Sequence, residues 1–474
     1  MKISKYIRIL FLTVVISGSV KNSYSQSASA ILDSLLDRTL DSMHTVLGNK
    51  SLSAAIEMPG NYNWEHATGI SGGNPLVNVQ PDDVYLIGSI TKTIIAACIL
   101  QLADSNILHL DDSLYQWVDT IQYIDPNITI RQLLRHQSGL YDVLSNPNCQ
   151  PALLADPDSI WAAQDLITTF IQPPTSQPGA VWRYSNTNYF LLGMIIEAAT
   201  GNPFYTELRN KFFNPLQLNT FSIPAFETLT SPVAHVWIDL NGDGFVDDAH
   251  NFYFNWLSLN AAGGAAGGYY STANDLSKWM RTYMRGDLHS PQMMAEAKTT
   301  VAASGVPNGT YGLGLMKKTF LGLTAYGHGG DLSYSASSWY FPDRDISISV
   351  LNNDSRNNSW TLVPVISALL KTYNDWYLTN SIEEINAGIF IERVYPNPFN
   401  RTISLLPAPG IEIKNLRCEL INLLGETVYV MEKSNISSLP DPVELNNIPD
   451  LPAGIYVLNT YSENTLLNSF KLVK

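Results

Sequence analysis

The sequence predicts an α+β fold: an antiparallel sheet flanked by helices plus a helical insertion, followed by a small all-β C-terminal domain. Three observations carry this. Strand-like segments stand near both ends of the first 380 residues, a helix-rich block lies between them, and beyond that point only short β candidates separated by turns remain. At 474 residues the chain is too long for a single core, so two or more domains are expected.

The elements follow in order. Lys2, Lys5 and Arg8 precede an apolar run from Ile9 to Val20, and small residues follow at Ser23 and Ser25. This is the layout of a secretory signal over residues 1–25. An apolar run of about 12 residues is too short for a bilayer core of ~30 Å, and no later stretch approaches about 20, so no transmembrane span is expected. Ile31, Leu35, Leu36, Leu40 and Met43 recur at helical spacing within 28–47. Leu52 to Met58 and Tyr62 to Ile70 read as two strands joined at Pro59-Gly60-Asn61. A helix is predicted from Ser89 to Ala103, then short helices and Pro-rich loops to about residue 260. Strands are predicted at 311–318, 321–327, 334–341 and 345–352, and a closing helix at 359–378. The main domain is therefore placed at 28–380, a linker at 381–393 and a β module at 394–474, with strands at 410–420, 427–432, 455–460 and 466–473.

Composition narrows the function. Hydrophobic residues are 45% and charged residues 15%, ordinary for a folded protein. A formal net charge of −14 repels phosphate backbones, so no nucleic-acid partner is expected. The three cysteines, Cys98, Cys149 and Cys418, are scattered and form no disulfide framework. The eight histidines include no HExxH or HxH pattern, which argues against a catalytic zinc.

Three short motifs can carry chemistry. In Ser89-Ile90-Thr91-Lys92 the first and last residues share one helical face. A bland reading makes Ser89 an N-cap, but a capping box wants Glu or Gln where Lys92 stands, and the helix dipole disfavours a cation there. Burial would lower the Lys92 pKa and free an amine to activate the weakly nucleophilic Ser89 hydroxyl. Tyr184-Ser185-Asn186 supplies a phenol for proton transfer and an amide to hold Lys92 and a substrate carbonyl, or else is an aromatic loop with turn-forming Asn. Tyr326-Gly327-His328-Gly329-Gly330-Asp331 places glycines at a strand end where main chain can approach a ligand, or else is a glycine-rich hairpin.

Together, in this order, the motifs resemble those of the serine β-lactamase and penicillin-binding-protein superfamily, most closely its class C β-lactamase-like branch. Ile128-Thr129-Ile130-Arg131-Gln132-Leu133-Leu134-Arg135-His136-Gln137-Ser138-Gly139-Leu140, Gly267-Gly268-Tyr269-Tyr270-Ser271-Thr272-Ala273-Asn274-Asp275-Leu276 and Tyr311-Gly312-Leu313-Gly314 resemble further family segments. The resemblance implies a β-lactamase-like fold over roughly residues 30–375 and a secreted serine hydrolase acting on an ester, amide or D-amino-acid peptide bond of a small-molecule or peptide substrate. Ser89 is then the nucleophile and Lys92 with Tyr184 the general base. Asn186, His328, Gly329, Gly330 and Asp331 bind substrate, with the amides of Ser89 and Asp331 forming an oxyanion hole. His328 stands where many members have Lys, so a substrate carboxylate is gripped only if the imidazole is protonated, below about pH 6.5. A penicillin-acylated sensor and a non-catalytic surface binding protein remain as alternatives.

Two signals lie outside the motifs. Asp239, Asn241, Asp243 and Asp247 occupy ligand positions of an EF-hand-like loop, with Gly244 at its turn; His250 stands where the bidentate acid belongs. The loop is a candidate structural calcium site or a plain Asp/Asn/Gly-rich loop; the hydrolysis itself requires no cofactor. Tyr395-Pro396-Asn397-Pro398-Phe399, Asn422-Leu423-Leu424-Gly425, Leu451-Pro452-Ala453-Gly454-Ile455-Tyr456 and the end Lys471-Leu472-Val473-Lys474 resemble the sorting domain of type IX secretion substrates. That implies the type IX machinery as partner, with export through the periplasm to the cell surface or medium. A carbohydrate-binding β-sandwich is the alternative.

Overall fold

The computed structural model describes residues 30–60, 62–250, 257–380, 391–397, 399–408, 413–422, 426–436, 442–452, 455–463 and 465–474. The expected signal at 1–25 and most of the expected linker at 381–393 lie outside the described residues, as do parts of three of the C-terminal motifs. The chain forms two compact units, Met1–Lys371 and Thr372–Lys474.

The first unit is built on a nine-stranded sheet. Its strands are β1 (Ser51–Met58), β2 (Tyr62–Gly73), β3 (Leu76–Asn78), β4 (Val301–Ala302), β5 (Gly309–Tyr311), β6 (Met316–Phe320), β7 (Leu323–Leu332), β8 (Tyr334–Phe341) and β9 (Ile346–Asn352). Their order is β3-β2-β1-β9-β8-β7-β6-β5-β4, so the last strand closes on the first, with Ala54 opposite Val350 and Ile56 opposite Ile348. The run expected at 311–318 is two strands instead of one, because the chain turns through Gly314 at φ +75°. β7 runs to Leu332, five residues past the expected end, so the third motif lies inside a strand.

β8 and β9 are buried along their whole length, as strands covered on both faces must be. The described helices are α1 (30–47), α2 (Thr91–Asp104), α3 (Thr187–Thr200), α4 (Leu257–Gly267), α5 (Ala273–Arg285) and α6 (Val363–Asn380), with shorter ones between. α1 turns Leu32, Leu36 and Leu40 inward at i, i+4 spacing. α5 is capped by the Thr272 side chain on Asp275 N and stopped by Gly286. Its Ser277 hydroxyl donates to Ala55 O of β1 at 2.9 Å, and Ser277 O accepts from Ser347 Oγ of β9 at 2.6 Å, pinning the helix to the sheet. α2 is buried on every side from Thr91 to Leu100, and one hydrophobic core runs from Ala55 to Leu351 around it. The polar side chains at its start, Thr91, Lys92 and Thr93, are therefore held inside the protein.

The second unit has β10 (Ile391–Tyr395), β11 (Ile403–Pro407), β12 (Ile413–Asn422), β13 (Thr427–Ile436), β14 (Val443–Leu445), β15 (Ile455–Ser462) and β16 (Thr465–Val473). They form a three-stranded sheet, β10-β11-β14, and a four-stranded sheet, β13-β12-β15-β16. Ile403, Leu405, Leu416, Leu420, Leu445 and Leu458 share its core. β10, β11 and β14 were not among the expected strands; they are only three to five residues long, too short for alternation to stand out.

Candidate active site

The helix expected from Ser89 begins two residues later. Gly88–Ile90 form a single 3₁₀ turn, Ile90 occupies the N-cap of α2, and Ser89 caps nothing. That turn is pressed against β7. Gly88 has φ +52°, and a methyl group there would come within 2.8 Å of Asp331 N. A methyl group on Gly330 would meet Ile87 O at 1.9 Å and Ser89 N at 3.0 Å. Glycine at both positions lets the Ser89 turn and the 330–331 main chain lie against each other.

Lys92 lies one turn on, with no solvent exposure. Its Nζ donates to Ser89 Oγ at 3.0 Å, Asn186 Oδ1 at 2.8 Å and Ala266 O at 2.6 Å. Burial lowers its pKa to about 7, against the opposing pull of the Asp142 carboxylate. Two of the three acceptors are carbonyl oxygens that cannot donate. In the neutral amine both hydrogens are held by Asn186 and Ala266, and the lone pair faces Ser89 Oγ.

Tyr184 and Asn186 reach the same place from the loop before α3. Asn186 sits at the N-cap of α3 yet makes no cap with its side chain. Its Oδ1 takes Lys92, and its Nδ2 donates to Asp142 Oδ2 at 2.9 Å. The Tyr184 ring lies 5.0 Å from Lys92 Nζ. Its hydroxyl is buried and has no hydrogen-bond partner. Burial pushes its ionisation well up, and the Ser89 hydroxyl is the neighbour that favours the phenolate, close by but short of a formed hydrogen bond. Tyr184 is therefore a neutral phenol with an unused proton beside the Ser89 hydroxyl.

The third motif departs from expectation. His328 is only 1% exposed. Its Nε2 pairs with Tyr311 Oη at 3.0 Å and its Nδ1 with Gly329 O at 2.5 Å. Burial, with Lys92 adding to it, pushes its pKa down to about 3 although Gly329 O favours the charged form. With both nitrogens committed inside the protein, His328 has neither the charge nor the free donor to grip a substrate carboxylate. The Asp331 carboxylate is turned away to Ser359, accepting from its N at 2.6 Å and Oγ at 2.7 Å, which leaves the main chain of Gly330 and Asp331 as what faces Ser89.

Sequence reasoning did not single out Asp142, Ala266, His136 or Tyr311. Asp142 and Ala266 act through one carboxylate and one main-chain oxygen, for which a single sequence has no marker. His136 and Tyr311 lie in segments quoted above, but neither stands in a motif of reactive residues. The candidate calcium loop is held by hydrogen bonds of its own. Asp239 accepts from Gly242 N, Asp243 N and Gly244 N, and Asp248 from Gly73 N and His235 Nδ1. Among the described residues no three His, Cys, Asp or Glu side chains group as metal ligands would. Cys98, Cys149 and Cys418 are buried free thiols.

A family model described as Beta-lactamase matches residues 48–361, well over half of the chain. The chain belongs to the beta-lactamase family. A second model, the Secretion system C-terminal sorting domain, matches 393–474, which marks the protein for secretion or the cell surface. No described helix is long and apolar enough to cross a membrane. This beta-lactamase family chain is 31% identical to a D-stereospecific amidohydrolase from Streptomyces sp., with a TM-score of 0.61 over 71% of this chain and 97% of that one. A D-amino acid amidase from Ochrobactrum anthropi shares the fold, with a TM-score of 0.62 at 24% identity over 74% and 99% of the two chains. Esterase EstB of Burkholderia gladioli is 25% identical over 69% of this chain and 90% of its own. Penicillin-binding protein 4* of Bacillus subtilis is 28% identical over 193 residues, 40% of either chain, so the chain spans well under half of that relative.

Proposed function

We propose that the protein is a secreted serine hydrolase whose Ser89 is acylated by an ester, an amide or a D-amino-acid peptide bond and then released by water. One observation carries the reading: a fully buried lysine whose pKa falls to about 7 stands within hydrogen-bond reach, 3.0 Å, of a serine hydroxyl. As Ser89 Oγ bonds to the acyl carbon, its proton passes to Lys92 Nζ. The resulting ammonium has Asn186, Ala266 and Asp142 around it. The developing oxyanion turns to the Ser89 and Asp331 amides. Tyr184 gives its proton to the leaving oxygen or nitrogen and recovers one from Lys92, after which the leaving group departs. A water deprotonated by the same pair then adds to the acyl carbon, and Ser89 leaves with its proton restored.

The neutral His328 favours esters and amides without a carboxylate beside the scissile bond over β-lactams. The esterase, amidohydrolase and amidase activities named for its relatives agree with that preference. In this reading residues 1–25 are an export signal, 28–380 the hydrolase, 381–393 a linker and 394–474 a type IX sorting domain that carries the enzyme from the periplasm outward. Calcium at the 239–247 loop, if bound, stiffens that loop only; a calcium titration without a thermal shift removes it. The deciding experiment is active-site labelling with a fluorophosphonate, followed by turnover of p-nitrophenyl butyrate, D-phenylalanine amide and a chromogenic cephalosporin. Ser89→Ala should abolish labelling and turnover with the fold intact. A Ser89→Ala variant that still turned over would sink the proposal, and a penicillin adduct that forms but never releases would favour a sensor.

A further inference from the structure

We infer that His136 and Tyr311 are positioning residues of this site, tying the second motif to the third through one buried hydrogen-bond chain that runs in a single direction; the inference rests on the hydrolase reading above. The direction follows from the partners. Ser185 N donates to His136 Nδ1 at 3.2 Å, and Asn188 Nδ2 lies 3.1 Å from the same nitrogen, so Nδ1 is the acceptor and the ring hydrogen sits on Nε2. His136 Nε2–H then donates to Tyr311 Oη at 3.2 Å. At the far end Gly329 O can only accept, so His328 carries its hydrogen on Nδ1 and receives the Tyr311 proton on Nε2. Every member is satisfied with both imidazoles neutral. Each residue of the chain is fully or almost fully buried.

The chain touches both sides of the reaction. The Tyr184 ring stacks on His136, centroids 4.1 Å apart and 30° between planes. Its hydroxyl has no hydrogen bond of its own, so ring packing, not a polar contact, decides where that oxygen stands. At the other end the bond from His328 to Gly329 O orients the peptide leading into Gly330 and the Asp331 amide. Removing the middle link lets the phenol and the strand drift independently, and misplacement by about 1 Å at a reacting centre costs on the order of 100-fold.

The test is Tyr311→Phe in the full chain, with turnover measured per Ser89 titrated by fluorophosphonate. We expect kcat per labelled serine to fall about 10- to 100-fold with KM within about threefold. A purely structural role would lower the labelled fraction or the melting temperature and leave kcat per site unchanged, and that result overturns the inference. His136→Gln keeps a donor near the Nε2 position and His136→Leu does not. Several-fold higher kcat per labelled serine in the Gln variant supports the chain; equal values overturn it. Wild-type protein that fails to label at all overturns the hydrolase reading instead, and labelled wild type with an unaffected Tyr311→Phe overturns this inference alone.

Discussion

In the proposed mechanism Lys92 serves as the base because its surroundings disfavour the ammonium enough to bring its pKa close to neutral pH. Burial without solvent removes the hydration that would hold an ammonium, while Asp142 and two carbonyl oxygens return part of that stabilisation. A base loses its proton as pH rises through its pKa, so kcat/KM should climb through an acid limb near pH 7 and level off above it. A pH profile with its limb near the ordinary lysine value would show that Lys92 is not the group titrating. Lys92→Ala should lower kcat by about 10²–10⁴-fold, measured per Ser89 labelled so that a folding defect is not mistaken for a chemical one. Burial lowers the His328 pKa as well, but from a lower starting value and therefore out of the working range. Its pKa near 3 keeps it neutral throughout the working range, so KM for a carboxylate-bearing substrate should stay flat between about pH 5 and 8. Tighter binding below about pH 6.5 would mean the imidazole charges and reaches the substrate after all.

At the scale of elements, the site is assembled where a turn and a strand touch through glycine. Ala at 330 puts a methyl carbon 1.9 Å from Ile87 O, so the Ser89 turn and β7 must separate. Gly330→Ala should cost about 1–3 kcal/mol of stability and on the order of 100-fold in kcat. Urea unfolding and steady-state kinetics would check the two halves, and unchanged kinetics would mean the contact does not set the site. This junction also marks the limit of what was legible in the sequence. The helix at 30–47 and the buried strands β8 and β9 were legible, but the apolar face expected at Ile31, Leu35, Leu36, Leu40 and Met43 is Leu32, Leu36 and Leu40, with Ile31 58% exposed. Ser89, Lys92, Tyr184 and Asn186 were readable because each stands in a short motif, and they do meet around one Nζ. The start of α2 was misplaced because a 3₁₀ turn and the first helical turn have nearly the same side-chain spacing. The protonation of His328 was not readable at all, since it depends first on burial, which only the fold decides, and then on the Gly329 carbonyl and on Lys92, which the fold brings near. Asp142 escaped for the same reason: its part is set by the Asn186 amide, which only the fold brings to it.

At the scale of the whole molecule, chemistry and sorting use separate material. Every side chain and main-chain group named in the site lies between residues 87 and 359, inside the first compact unit. That unit buries its own core around α2, and the second buries another of Ile403, Leu405, Leu416, Leu420, Leu445 and Leu458. Two separate cores of this kind are what independently folding domains have. A chain ended after residue 390 keeps all of α6 and none of the C-terminal strands. Its kcat/KM on the same ester should match that of the full chain within about twofold, since no group from the removed strands enters the reaction. In its native cell, the same truncation should leave the enzyme unsecreted, because the segment matched as a sorting domain is gone. Activity assays on the purified truncated chain and fractionation of cells expressing it measure the two outcomes separately. A loss of turnover beyond about tenfold would mean that the β module helps shape the site. Normal secretion would mean that export does not depend on it.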